Sequence, residues 1–145
     1  MSSRKIEDCS VPMQAALAEF ELMLTGAHIP FVRACTYRST AEQADLYAQG
    51  RTKPGRVVTH ALPGQSMHND ELDGQPASNA ADYYPLDCGK LCGDQTHAQL
   101  ALWDRLGDIG EKCGLDWGGN WREPKRDRPH VQLARPAYMA WQVTK

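Results

Sequence analysis

Three residues of metal-ligating type stand in short, distinctive contexts: His68 in Ser66-Met67-His68-Asn69, Asp82 in Ala80-Ala81-Asp82-Tyr83, and His130 in Asp127-Arg128-Pro129-His130. A hydrolytic zinc centre needs three protein ligands and one position open to water, and histidine and aspartate are suitable donors. Residue type alone leaves each assignment open, because a single His or Asp is more often structural or merely exposed. His28, His60 and His97 are read in that second way, with His60 the least settled because its loop approaches His68.

Ligands need elements that hold them still. Ala80 to Leu86 reads as a core strand carrying Asp82, and His130 to Leu133 as a second strand. Phe31 to Thr36 is a third, running into Tyr37-Arg38-Ser39, so Arg38 sits at a strand-to-helix corner where side chains face clefts. Ser39-Thr40-Ala41-Glu42 has capping-box spacing, and the helix it opens should stop at Gly50. A first helix is expected from Ser10, with Pro12 in its first turn and Gly26 just past its end, burying Met13, Leu17, Phe20 and Leu24. Thr96 should cap a helix ending near Cys113 and Gly114, with Leu100, Trp103, Leu106 and Ile109 on one face. A Trp-rich turn, Leu115 to Trp121, and a basic loop follow, and Ala137 to Val143 reads as a short final helix. Arg51 to Asn79 is rich in Gly, Pro, Asn and Asp and reads as loop, with a short strand near Val57-Val58. Helices flanking a small sheet make the fold class α+β, with residues 1–145 as one domain.

The 145 residues, 41% hydrophobic and 23% charged, suit an ordinary core. A net charge of −2 argues against a broad polyanion surface, so no nucleic-acid partner is expected. Arg122, Lys125, Arg126 and Arg128 are a local exception, read either as a solvated loop or as a contact to an anionic wall polymer. No run approaches a membrane span and Met1 to Cys9 lacks the apolar core of a signal peptide, so membrane insertion is not expected. Synthesis in a cytoplasm is the corresponding expectation. Five cysteines, an odd number, do not look like a disulfide framework; reduced, structural thiols are expected, with Cys35 and Cys113 buried. Cys88 and Cys92 form a C-x3-C pair that lacks the second pair a zinc ribbon needs.

Five blocks, taken in order, resemble one family. They are Tyr37-Arg38-Ser39 with Glu42-Gln43 and Leu46 to Thr52; Pro63-Gly64-Gln65-Ser66 leading to His68; Ala80-Ala81-Asp82; Trp117 to Trp121; and Asp127-Arg128-Pro129-His130. From about Cys35 to Leu133 the chain resembles the zinc D-alanyl-D-alanine carboxypeptidase and L-alanyl-D-glutamate endopeptidase family, which includes many phage endolysins. The resemblance implies a hedgehog/D,D-peptidase-like zinc peptidase fold, a Zn2+ cofactor held by His68, Asp82 and His130, and Asp127 as general base. Zinc would lower the pKa of its water to about 7, and Asp127 would carry the proton to the departing amine. Asp127 could instead pair with Arg126 or Arg128. Arg38 would hold a substrate carboxylate or stabilise the oxyanion, or simply be structural; Ser66 would bind substrate, support a ligand or form a turn. Trp117 and Trp121 would wall the site or pack in the core.

The chain departs from the family in one place. Thirteen residues, Asn69 to Ala81, separate His68 from Asp82, where the common spacing is shorter. The extra segment resembles a Gly-x-Pro-Ala-Ser insertion of some phage members, which leaves Asp82 as the ligand and Asp70 or Asp73 as competing assignments. It is read as a solvated loop, a lid or an oxygen site of calcium type. The resemblance therefore implies a monomeric phage endolysin acting on peptidoglycan, most like those that cut the L-alanyl-D-glutamate bond, and released to the wall by holin-type export. A D-alanyl-D-alanine carboxypeptidase and a non-catalytic zinc-containing binding module are the competing functions. With no separate wall-binding domain expected in residues 1–145, recognition would fall to the catalytic domain itself.

Overall fold

The computed structural model describes residues 1–145. Helix α1 spans Val11–Gly26, with Ser10 as its cap accepting from the Met13 amide at 3.3 Å and Pro12 in the first turn. Its apolar residues recur every three to four positions, so Met13, Leu17, Phe20 and Leu24 form one fully buried stripe. Each such side chain contributes about 1.5–3 kcal/mol of burial. Strand β1 is Phe31–Cys35, and α2 is Thr40–Ala48, opened by the Ser39–Glu42 capping box.

Beyond α2 the expected strand at Val57-Val58 does not form; both valines are exposed, and no residue from 54 to 61 enters a backbone–backbone hydrogen bond. A 3-10 turn, Met67–Asn69, carries His68. The inserted segment is more ordered than a solvated loop. Strands β2 (Glu71–Leu72) and β3 (Gln75–Pro76) pair as a small hairpin around Asp73 and Gly74, both at positive φ. Two consecutive positive-φ residues make the turn whose twist matches a hairpin, and Asp-Gly supplies them at low cost.

Strand β4 (Ala80–Asp87) is the centre of the main sheet, flanked by β5 (Lys90–Leu91). Helix α3, His97–Lys112, starts from a Thr96–Gln99 capping box. Its buried face is Trp103, Leu106, Gly107 and Gly110, while Leu100 and Ile109 lie at the margins. Gly107 is required there: a Cβ would stand 2.1 Å from the Trp117 ring. The Trp-rich segment begins as a strand, β6 (Leu115–Trp117), before a 3-10 turn at Gly118–Asn120. Strand β7 is His130–Leu133, and α4, Arg135–Gln142, starts two residues before the expected Ala137 because Pro136 fits a first helical turn.

The sheet order is β1-β4-β7-β6, antiparallel throughout, with β5 against β4. Alternation decides its two faces. Ala81, Tyr83, Val131, Leu115 and Leu133 join α1 and α3 residues in the core, whereas Asp82, Tyr84, His130 and Gln132 line a cleft on the other face.

Candidate active site

Strand pairing brings the site together. Asp82 lies opposite His130 across β4 and β7, and opposite Cys35 across β4 and β1. The second pairing depends on a bulge between Arg33 and Cys35, which shifts the register so that Cys35 reaches the Asp82 row. The result is a row of three side chains crossing three strands.

His68 joins the row from the Met67–Asn69 turn. Ser66 caps that turn, its hydroxyl accepting from the His68 amide at 3.2 Å. The Arg38 amide donates to the His68 carbonyl at 2.9 Å, and the Asn69 side chain donates to the Arg38 carbonyl at 2.8 Å, so the turn is tied to the β1–α2 corner. Ser66 also lines the cleft.

Both imidazoles converge on one oxygen. His68 Nε2 is 3.3 Å and His130 Nδ1 is 3.6 Å from Asp82 Oδ1, and the two rings meet edge to face. The other nitrogen of each ring is occupied. His68 Nδ1 lies 2.6 Å from the Thr36 carbonyl, which can only accept, so the proton is on Nδ1. His130 Nε2 lies 2.9 Å from Gln132 Oε1, an acceptor in the same way. These bonds turn the second nitrogen of each ring toward Asp82, the orientation that metal-ligating histidines acquire from their outer partners. Cys35 Sγ stands 3.8 Å from His68 Nδ1, so Cys35, His68 and Asp82 form one set of closely spaced ligand atoms and Asp82, Asp127 and His130 a second, with Asp82 common to both.

These groups share protons unevenly. Burial pushes the His68 imidazole down, but the Asp82 charge and hydrogen bonds to Asp82 and Cys35 prevail, raising its pKa to about 10. Burial would raise the Asp82 carboxyl, yet His68 and His130 hold it well below the usual carboxylate range.

Asp127 stands at the open rim of this cluster, within 4.8 Å of Asp82 and His130 donor atoms. Partial burial raises its pKa, and the Asp82 charge raises it further, against the pull of His130, His68 and Arg38. Its backbone is fixed by Gly118: the Asp127 amide donates to the Gly118 carbonyl at 3.0 Å, and a Cβ on Gly118 would lie 2.3 Å from the Asp127 carbonyl oxygen. Asp127 makes no salt bridge with Arg126 or Arg128, which pair instead with Glu123 and Asp94.

Arg38 reaches the row too, its Nη2 3.6 Å from Asp82 Oδ2 and its Nη1 donating to Gln43 at 3.1 Å. Trp121 lines the cleft with its ring 5.0 Å from that of His130. Trp117 does not line it. It points to the α3 side, against Gly107, and its indole donates to the Arg128 carbonyl at 2.7 Å, buttressing the loop from behind. Asp70 and Asp73 are not brought to the cluster. Asp70 accepts from Asn79 at 2.9 Å, and Asp73 forms the hairpin tip. His60 lines the far wall of the cleft, while His28 and His97 are exposed elsewhere. All five cysteines are free.

Two contributors lay outside the sequence reading. Gln132, which orients His130, is two residues along the same strand, and i,i+2 residues share a face. Thr36 acts only through its carbonyl, for which side-chain patterns carry no signal.

A family model described as D-alanyl-D-alanine carboxypeptidase matches residues 63–133. The peptidoglycan L-alanyl-D-glutamate endopeptidase CwlK of Bacillus subtilis (strain 168) is 36% identical over 97 residues, 67% of this chain. The chain belongs to this peptidase family. It spans 56% of the length of CwlK. Among solved structures, the Serratia marcescens L-Ala D-Glu endopeptidase ChiX superposes with a TM-score of 0.58 at 15% identity, over 92% of this chain and 86% of that one. A vancomycin-resistance D,D-pentapeptidase VanY mutant, solved in complex with Zn(II), gives 0.57 at 12% identity, over 94% of this chain and 79% of that one. At such identities the two establish a shared fold.

Proposed function

We propose that this protein is a zinc-dependent peptidoglycan peptidase that hydrolyses the L-alanyl-D-glutamate bond of the stem peptide. The observation that carries the reading is the convergence of His68 Nε2 and His130 Nδ1 on Asp82 Oδ1, each ring oriented by a protein acceptor on its other nitrogen. Two neutral imidazoles and one carboxylate, with the cleft open beside them, suit a catalytic zinc ion. When bound, zinc supplies Lewis acidity toward water and the scissile carbonyl.

The chain's own groups do the rest. Asp127, with its raised pKa, takes a proton from the attacking water and returns it to the departing amine. Arg38, held at the Asp82 row, is assigned to the oxyanion that develops on the carbonyl. Ser66 and Gln132 position the two histidines, and Trp121 closes the cleft beside His130. The identity to CwlK favours the L-alanyl-D-glutamate bond, and the family model's own description favours a D-alanyl-D-alanine carboxypeptidase as the second reading. Phage-mediated lysis, with export through a holin, is the setting this proposal carries over from the sequence resemblance.

Purified peptidoglycan digested by zinc-loaded protein should release new N-terminal D-glutamate, with one zinc per chain by elemental analysis. Free D-alanine without new D-glutamate termini would reject the endopeptidase assignment in favour of the carboxypeptidase.

A further inference from the structure

The charged groups of the cleft are sorted in a way that the metal cluster does not explain. The chain is net negative, yet the cleft holds three cations, Arg38, Lys125 and Arg126, against the carboxylates of Asp82 and Asp127. Arg38 is already assigned to the oxyanion, and its donors also reach Gln43, Asp82 and Ser2, with Cys35 beside them. Arg128 turns outward to Asp94. Lys125 has no ion-pair partner; Arg126 has an exposed i,i+3 contact to Glu123 at 3.4 Å, and its Nε donates to the Trp121 carbonyl at 3.3 Å. An exposed pair of that kind is worth little and yields readily to a better anion. The same cleft lining includes an apolar stretch, with Val57 46% and Val58 54% exposed beside Leu46.

We propose that Lys125 and Arg126 form a second anion position, distinct from Arg38, that selects stem peptides whose glutamyl residue keeps a free α-carboxylate over those in which it is an amide. The chemistry of the cleft matches that ligand. A glutamyl residue joined through its amine to alanine and through its γ-carboxyl to the next residue keeps one carboxylate beside the scissile amide. The alanyl methyl can lie on the valine wall while this carboxylate faces the two cations. A neutral amide cannot make the charge-assisted contact and leaves both cations without an anion. The inference deepens the endopeptidase reading and rests on it for the identity of the peptide.

The test uses two synthetic stem peptides, L-Ala-γ-D-Glu-L-Lys and its α-amide counterpart. Binding is read from Trp fluorescence of the zinc-loaded Asp127→Ala protein, and turnover from the zinc-loaded wild type. The carboxylate peptide should bind about tenfold more tightly, the factor one charge-assisted contact supplies. In turnover the preference should appear in KM more than in kcat. Lys125→Ala with Arg126→Ala should remove the preference at unchanged zinc content, and Lys125→Arg should retain it. Equal binding of the two peptides, or a preference that survives the double substitution, overturns the proposal. Should wild type cut neither peptide while the silenced protein still prefers the carboxylate, the endopeptidase reading fails and the anion position stands.

Discussion

The two walls of the cleft are built by different means. On one side stand Asp82 and His130, adjacent in a hydrogen-bonded antiparallel ladder, with the core packed behind them and Asp127 tethered through Gly118. On the other side, residues 54 to 61 have no backbone ladder at all. They are held by side chains reaching out from α2 and the turn after it: Gln43 donates to Thr59 and Ala61, Gln49 to Arg56, and Arg51 to Thr59. Under the proposed function, chemistry that tolerates little displacement would sit on the ladder, and the apolar part of recognition, which tolerates more, on the tethered loop.

The largest effect that separates the walls is at the base. Asp127→Ala should lower the peptidoglycan cleavage rate by about 10²–10⁴, the usual share of general acid–base catalysis, with zinc content and melting temperature retained. Unchanged cleavage would remove Asp127 from the mechanism. Gly118→Ala comes next. Its Cβ collides with the Asp127 carbonyl, so the base must move, and a displacement near 1 Å costs on the order of 10² in kcat. Gly118→Ala protein with wild-type kcat would show that the close approach at this point has no catalytic consequence.

Zinc affinity should depend on pH in a defined direction. In the metal-free protein His68 is protonated up to a pKa of about 10, and a metal must displace that proton. Affinity, measured by competition with a chromophoric chelator, should therefore tighten about tenfold per pH unit on rising from 6 toward 9, beyond the small contribution of an ordinary histidine. A flat profile above pH 7 would mean that the His68–Asp82 proton is not held as described.

The smallest effect belongs to the tethered wall. Val57→Ser with Val58→Ser should leave thermal stability within about 0.5 kcal/mol, because both side chains are already solvated. KM should rise a few-fold at unchanged kcat. A large loss of stability would show that the far wall is built into the core after all.

Much of this molecule was legible from short windows. The α1 stripe, the Ser39–Glu42 capping box, the Thr96 cap, the strands bearing Asp82 and His130, and the five ordered blocks each depend on neighbours a few residues apart. The Asp73-Gly74 hairpin falls where the sequence reads as loop: the dipeptide is a turn signal, but strands of two residues are too short to show alternation. Val57-Val58 misled for the opposite reason: β-branched residues favour a strand only where a partner edge exists, and here none is adjacent.

The sequence by itself determined which residues could ligate, which acid could serve as base and which faces of the helices turn inward, because these follow from residue chemistry and from periods of two or about 3.6 residues. Only the tertiary structure decided that the bulge in β1 brings Cys35 to the Asp82 row, that Gln132 and Thr36 orient the two rings, that Trp117 faces Gly107 instead of the cleft, and that Lys125 and Arg126 face it while Arg128 turns away. Register, side-chain orientation and charge pairing arise from contacts between segments distant in the chain, and no local window contains both partners.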